Sequence, residues 1–222
     1  MILPRQPEAV VFDLDGTLID SEALVRTGYF AAAPRFGVEM TNADFLSFVG
    51  LHRDANDARL RTLYGASFPL DDFYAQVRAH IGDQPAQLKP GALDVLNRLD
   101  ALSIPYALAT SSQRPWVDRH FEHYDLARRF RAVIARGDVA NGKPHPEPYI
   151  KAAAALGALP ELTLAVEDSH AGVASAHAAG LMTVMVPDLL PATDEMRAKA
   201  LHVATSLHDV VSFFDQPELK RR

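Results

Sequence analysis

Two aspartates separated by one residue, Asp13 and Asp15, end an apolar stretch and precede Gly16 and Thr17. A buried strand that ends in this way carries its last side chains beyond the edge of the sheet, where a ligand can reach them. Two unit charges at ~4 Å and an effective dielectric constant of ~20 repel by roughly 4 kcal/mol. A folded protein relieves such a pair with a divalent cation or by keeping one carboxyl protonated. Both arrangements support chemistry, and the alternative is an acidic turn without a ligand.

Three later segments carry further groups that suit an anionic ligand. Hydroxyl and backbone N–H groups at Thr110 and Ser111 can hold phosphate oxygens, although serine also caps helices. Lys143 lies between a glycine and a proline, so its turn can present an ammonium to a phosphate; the alternative is an exposed loop lysine. One of the adjacent acids Glu167 and Asp168 can complete an oxygen-ligand site for magnesium, or Asp168 can cap the following helix.

The elements that must position these groups are short apolar strands alternating with helices. This pattern predicts a doubly wound, parallel α/β sheet that is buried on both faces. Ligands of such sheets bind beyond the carboxyl ends of the strands, which is where the polar groups fall. The predicted strands are 9–14, 104–110, 132–135, 162–167, 181–186 and 202–205, and the predicted helices between them are 91–102, 115–124, 147–156 and 169–179.

A helical insert interrupts this alternation directly after the two aspartates. Its position predicts an all-helical cap over residues 21–83, with an α/β core formed by 1–20 and 84–222, and an insert placed there can act as a lid. Thr41 is the predicted N-cap of the second helix. The predicted helices are 21–36, 42–48, 54–64 and 71–81, and the predicted core of the insert is Phe45, Phe48, Leu60, Leu63, Phe73 and Val77.

Composition excludes several classes of function. The chain has 222 residues, 48% of them hydrophobic and 23% charged, which is typical of a folded globular protein. It has no cysteine, so a thiolate nucleophile, a disulfide framework and a cysteine zinc site are excluded. A net charge of −6 without a basic block predicts no nucleic-acid partner. No apolar run approaches the ~20 residues of a membrane span, and the first eight residues do not resemble a signal peptide, so the expected location is the cytoplasm.

The candidate residues together resemble the four motifs of the haloacid dehalogenase superfamily. The first is Asp13-x-Asp15-Gly16-Thr17, and the others are Thr110, Lys143 in Gly-Lys-Pro, and Glu167-Asp168. The resemblance spans nearly the whole chain, with the insert where one cap class of that family lies. The run from Asp15 to Glu22 and the residues around Asp168 are similar to its sugar-phosphatase and β-phosphoglucomutase branch.

This resemblance implies a role for each residue. Asp13 would attack phosphorus and form an aspartyl phosphate. Asp15 would protonate the leaving alcohol and then activate water. Mg²⁺ would bind Asp13, the backbone carbonyl of Asp15, and Asp168, and Glu167 would act behind these ligands or through a water. Thr110, Ser111 and Lys143 would hold phosphoryl oxygens. Arg53 aligns with a cap arginine that contacts substrate in this branch, and its alternative is an ordinary helix residue.

The expected activity is that of a Mg²⁺-dependent phosphatase acting on a small phosphorylated metabolite, with a sugar phosphate preferred. Halide release needs no second aspartate, so Asp15 argues against dehalogenation. A hexose-phosphate mutase is the rival enzyme, but the position where those mutases usually carry a histidine is Val25 here. A non-catalytic phosphate-ligand-binding protein would lack Asp13 or Asp15. Trp116 is expected to pack at the start of its helix and His120 to lie on an exposed helix face, and the sequence leaves the oligomeric state open.

Overall fold

A computed structural model describes residues 3–48 and 53–215 of the chain, the side chain of Arg53 excepted. The chain divides into two compact units, one of residues through Asp20 and from Gln87 onward, and one of Ser21–Ala86. The sequence-based boundary after residue 83 lies three residues before this second division. Within the described residues, no helix is both long and apolar enough to span a membrane.

The first unit is built on a six-stranded sheet in which every strand pair is parallel. Its spatial order is β3-β2-β1-β4-β5-β6. Strands β1 to β3 are added toward one edge of the sheet and β4 to β6 toward the other, so the strand order reverses between the neighbouring strands β1 and β4. This confirms the predicted doubly wound α/β fold, and the reversal marks the place where such sheets bind ligands. The strands are β1 (Ala9–Phe12), β2 (Tyr106–Ala109), β3 (Ala132–Ile134), β4 (Thr163–Glu167), β5 (Met182–Met185) and β6 (His202–Val203).

The central strands have the burial that their composition predicts. Every residue of β1, β2, β4 and β5 is buried, because helices cover both faces of the sheet. On one face, Val11 and Ala165 form a core cluster with Tyr149 and Ala176 from two of these helices. The helices of this unit are α5 (Ala92–Ala101), α6 (Arg114–His123), α7 (Glu147–Leu156), α8 (His170–Ala178), α9 (Asp194–Lys199) and α10 (Leu207–Ser212).

Each predicted strand and helix of the α/β unit is present, with ends that differ by up to two residues. Helices α9 and α10, which have six residues each, were not predicted from the sequence. Fewer than two helical turns give too few apolar repeats for a periodicity to be recognised.

The described residues of the second unit form four α-helices around an aromatic core. The ring of Tyr29 lies 5.3–6.2 Å from those of Phe45, Phe48, Phe73 and Tyr74. Of the predicted core residues, Leu63 is only partly buried and the others are buried. The helices are α1 (Ser21–Ala32), α2 (Asn42–Leu46), α3 (Arg53–Tyr64) and α4 (Leu70–Ile81).

Two local features of this unit follow from single residues. The first helix was predicted to reach residue 36, but α1 ends at Ala32 and a 3-10 turn, Ala33–Phe36, follows. Pro34 has no backbone N–H to donate the next helical hydrogen bond, and its ring clashes with the carbonyl four residues earlier in a helix. Thr41 caps α2 as predicted, because its hydroxyl accepts a hydrogen bond from Asp44 N and the Asp44 carboxylate accepts one from Thr41 N.

Candidate active site

The loop that follows β1 and carries Asp13 and Asp15 is fixed to the carboxyl edge of the sheet. Asp13 N donates to Val166 O across the β1–β4 pair at 3.0 Å. Asp13 is therefore the first residue after the end of β1. The next residues turn back sharply, with Leu18 N and Ile19 N both donating to Leu14 O. Gly16 has a φ of +81° at this turn, a conformation that L-residues rarely adopt. The loop therefore holds the side chains of Asp13 and Asp15 at the reversal point of the sheet.

Lys143 joins two of the predicted carboxylates. Its Nζ lies 2.5 Å from Asp13 Oδ1 and 2.5 Å from Glu167 Oε1. The side chains of Lys143, Asp13 and Glu167 are 5%, 8% and 0% exposed, so water screens this arrangement little. Burial alone would lower the pKa of Lys143, but its attraction to the two carboxylates outweighs that effect and raises the pKa. The ammonium is therefore a permanent positive charge beside Asp13.

Both carboxylate oxygens of Glu167 accept hydrogen bonds from the groups around it. Its Oε1 also accepts a hydrogen bond from Tyr149 OH at 2.8 Å. Its Oε2 accepts bonds from Asp168 N, Ser169 N and Ser169 Oγ, each at 3.0 Å. A Cβ on Gly172 would lie 1.7 Å from Glu167 Oε1, so only glycine lets the first turn of α8 approach this carboxylate. These contacts agree with a role for Glu167 behind the metal ligands, which remains a prediction.

Asp168 faces the same region from the end of β4. Its Oδ1 accepts a hydrogen bond from Thr17 Oγ1 at 3.1 Å, which ties the two strand-end loops together. Asp13, Glu167 and Asp168 each offer a carboxylate oxygen within 4.8 Å of the others. Burial is the main cause that raises the pKa of Asp13 to about 7, with repulsion from Glu167 and Asp15 adding to it and Lys143 opposing it. Burial, followed by repulsion from Glu167 and Asp13, also raises the pKa of Asp168 well above its ordinary value.

This donor set fits a divalent cation with a preference for oxygen ligands. The single ammonium of Lys143 is set against the buried carboxylates of Asp13 and Glu167 and the partly buried carboxylate of Asp168, so a negative charge remains in a poorly hydrated region. The raised pKa values of Asp13 and Asp168 express the cost of that charge. Magnesium takes oxygen ligands and is usually held by one or two protein carboxylates, which the site supplies.

Asp15 lies against the loop that follows β2. Its Oδ2 accepts a hydrogen bond from Ser112 Oγ at 2.6 Å, and Thr110 Oγ1 lies 3.5 Å from the same oxygen. Its Oδ1 accepts one from Trp116 Nε1 at 2.9 Å. Thr110 Oγ1 also accepts a bond from Ser112 N, while Ser111 is exposed. Both oxygens of Asp15 are thus engaged by donors from a single loop and helix.

The contacts of Ser112 and Trp116 with Asp15 were not predicted from the sequence. Trp116 was expected only to pack at the start of α6, but its indole N–H reaches Asp15. His120 was expected on an exposed face, yet it is fully buried, its ring centroid 4.4 Å from that of Trp116. Its Nδ1 lies 2.8 Å from Trp116 O, one turn earlier in α6. The sequence signal at this position was Pro115, which lies in the first turn of α6 and so marks where the helix begins.

The structure therefore brings most of the predicted residues to one edge of the sheet. Asp13, Lys143, Glu167 and Asp168 form one cluster of direct contacts and short separations. Asp15 and Thr110 lie together beside it. The side chain of Arg53 and all of His52 lie outside the described residues. The carboxylates and the ammonium therefore lie at the reversal point of the sheet, where α/β folds of this kind bind their ligands.

The comparisons identify the family. The sequence profile described as haloacid dehalogenase-like hydrolase matches residues 10–186, and the chain belongs to this family, as its motifs predicted. It is 32% identical to validoxylamine A 7'-phosphate phosphatase of Streptomyces hygroscopicus subsp. limoneus, covering 80% of this chain and 84% of that protein. It is also 32% identical to a Drosophila melanogaster protein described as a probable pseudouridine-5'-phosphatase, covering 92% of each.

Solved structures agree with this assignment. A crystal structure from Thermotoga maritima, provisionally described as a beta-phosphoglucomutase, superposes with a TM-score of 0.79 at 26% identity, covering 93% of this chain and 98% of that one. The two relatives named above are described as a phosphatase and a probable phosphatase, which agrees with the enzyme class predicted from the motifs.

Proposed function

We propose that this protein is a Mg²⁺-dependent phosphatase that hydrolyses a small phosphate monoester through an aspartyl phosphate on Asp13. The observation that carries the proposal is the contact of Lys143 Nζ with Asp13 Oδ1 at 2.5 Å in a buried site. A carboxylate beside a fixed ammonium can meet a phosphate dianion without the full repulsion between two anions. The phosphatase activity named for the relatives supports the same reaction class.

The proposed reaction has two steps. In the first, an Asp13 oxygen forms a bond to phosphorus while the ester P–O bond breaks, and the leaving alkoxide takes a proton from Asp15. In the second, Asp15 takes a proton from water, whose oxygen attacks phosphorus and releases inorganic phosphate and the Asp13 carboxylate. Thr110, Lys143 and the backbone at Ser111 are proposed to hold the phosphoryl oxygens. Ser112 and Trp116 orient Asp15 in this scheme.

The proposed metal site uses the side chains of Asp13 and Asp168 with the backbone carbonyl of Asp15. When bound there, Mg²⁺ would offset the repulsion between these carboxylates and the phosphate. Glu167 is proposed to act behind the ligands, since its two oxygens accept bonds from Lys143, Tyr149, Asp168 and Ser169. The carboxylate-rich donor set supports this assignment.

The helical unit is proposed to select the substrate, for which we favour a sugar phosphate. The named activities of the relatives, on a validoxylamine phosphate and a pseudouridine phosphate, suggest phosphate esters of polar cyclic compounds. Mutase activity is the second candidate because of the structural likeness reported above. Against it, Val25 packs on the apolar core of the helical unit, where those mutases usually carry a histidine.

Phosphate release from a panel of phosphorylated metabolites, with Mg²⁺ and with a chelator, tests the reaction class. Glucose 1-phosphate with a trace of its bisphosphate belongs in the panel, and formation of glucose 6-phosphate there would support the mutase. Reduction with borohydride during turnover tests the intermediate, because it converts an aspartyl phosphate to homoserine. Mass spectrometry should locate homoserine at position 13, and its absence during active turnover would contradict Asp13 as the nucleophile.

A further inference from the structure

An ion pair near the carboxylate site is not used by the mechanism above. Asp188 follows β5 in the α/β unit, and its Oδ1 lies 2.6 Å from Nζ of Lys89. The two side chains are 10% and 21% exposed. Lys89 is itself fixed, because its backbone N–H donates to Leu18 O in the loop after Asp15. The pair therefore joins the end of β5 to the segment that returns to the core.

The second oxygen of Asp188 is the unusual feature. Oδ2 is buried and accepts no hydrogen bond from any part of the chain that the structure describes. An ionised oxygen that is withdrawn from water without a donor carries a substantial desolvation cost. Buried polar atoms normally have a partner in the protein or an ordered molecule. This oxygen therefore needs a donor from outside the described part of the chain, such as a bound water.

This oxygen lies close to Asp168, one of the proposed metal ligands. A Cβ built on Gly16 would lie 2.3 Å from Asp168 Oδ2 and 3.3 Å from Asp188 Oδ2. Both carboxylate oxygens thus lie on the side of Gly16 where a Cβ would project, and Asp168 Oδ2 occupies the space that this Cβ would fill. Two such oxygens repel each other unless a donor or a cation lies between them.

The distances between carboxylate oxygens show that Asp188 lies outside the cluster that contains the proposed metal ligands Asp13 and Asp168. Among the described residues, the acids whose oxygens lie mutually within 4.8 Å are Asp13, Glu167 and Asp168, and Asp188 is not one of them. Magnesium in proteins usually keeps several of its waters, and such a water is a strong hydrogen-bond donor. Groups that bind the ligands of a metal, rather than the metal, commonly tune its affinity.

We propose that Asp188, whose other oxygen pairs with Lys89, is an additional residue of the metal site, where its Oδ2 accepts a hydrogen bond from a water bound to the cation. This inference rests on the metal site in the proposed function. Lys89 pairs with one oxygen of Asp188, and the other oxygen lies with Asp168 Oδ2 beside Gly16. The pair contributes a hydrogen-bond acceptor to the site while its net charge stays near zero.

The test is a titration of the chelator-treated protein with Mn²⁺, followed by the electron paramagnetic resonance signal of the free ion. We expect Asp188→Asn to weaken Mn²⁺ binding by about 10- to 100-fold, the range typical for groups that bind metal ligands. The matched control is Lys89→Met, which breaks the same ion pair but keeps the carboxylate. It should leave the affinity within about threefold of wild type or tighten it, because a nearby positive charge is removed.

Asp168→Asn distinguishes failure of this inference from failure of the metal site. Retention of wild-type Mn²⁺ affinity by Asp168→Asn would reject the proposed metal site itself. Loss of binding in Asp168→Asn with unchanged affinity in Asp188→Asn would overturn the role of Asp188 alone. Equal weakening in Asp188→Asn and Lys89→Met would mean that the ion pair is structural, which also overturns it. Circular dichroism checks that each variant is folded, and Asp188→Ser replaces the asparagine variant if that one does not fold.

Discussion

The substitution Asp13→Asn should stabilise the metal-free protein while it abolishes turnover. Burial and the neighbouring carboxylates raise the pKa of Asp13 from its ordinary value of 3.8 to about 7, even with Lys143 beside it. An unfolded chain loses this proton near pH 4, whereas the folded protein retains it up to about pH 7. The folded state is therefore disfavoured progressively as the pH rises between these values, and the effect is complete above pH 7.

The size of the effect follows from the same two values. Their difference corresponds to roughly 4 kcal/mol at pH 8, and it vanishes below pH 4, where both states are protonated. Asparagine carries no charge at either pH and keeps an oxygen that can accept from Lys143. We therefore expect Asp13→Asn to gain about 2–4 kcal/mol in the free energy of unfolding at pH 8, and little or nothing near pH 4.

Urea unfolding with a chelator present, at several values between pH 4 and pH 8, measures this difference. Trp116 is the only tryptophan of the chain and contacts Asp15, so its fluorescence reports on the α/β unit alone. Addition of Mg²⁺ should stabilise the wild type more than the variant, since a ligand of the folded state shifts the equilibrium by mass action. A gain that is independent of pH, or a loss of stability at pH 8, would refute the reasoning. Retention of more than a few per cent of the wild-type rate would refute Asp13 as nucleophile.

Two other substitutions test the groups that support the site. Gly172→Ala should lower the free energy of unfolding by about 3 kcal/mol or more in thermal or urea unfolding, because its Cβ would lie 1.7 Å from Glu167 Oε1. Gly137→Ala, whose Cβ would meet nothing within 4 Å, is the control and should stay close to wild type. Trp116→Phe removes a donor from Asp15 and should slow hydrolysis of alkyl phosphates roughly 10-fold in steady-state assays, since these leaving groups need a positioned acid. Hydrolysis of p-nitrophenyl phosphate, whose leaving group needs no proton, should change less than about threefold, and equal losses for both substrates would contradict a positioning role.

The fold could be predicted because its signals are local. Strand β1 is an uninterrupted apolar run, and such runs alternate with helices along the chain. Burial on both faces selects a parallel sheet for sequences of this kind. Parallel strands share one carboxyl edge, so the groups that follow them, from Asp13 to Asp168, had to meet there. Most of the candidate site was therefore predictable without coordinates.

The remaining features depend on tertiary contacts. Trp116 is 101 residues from Asp15 and Lys89 is 99 from Asp188, and no periodicity or spacing links such pairs. Which oxygen of a carboxylate is satisfied and which is left without a donor depends on the path of each loop, as Asp188 shows. The sequence determined which residues reach the edge of the sheet, because hydrophobic burial and strand topology act over short stretches. Only the tertiary structure decided how those residues are oriented, because loop packing brings distant segments within hydrogen-bond distance.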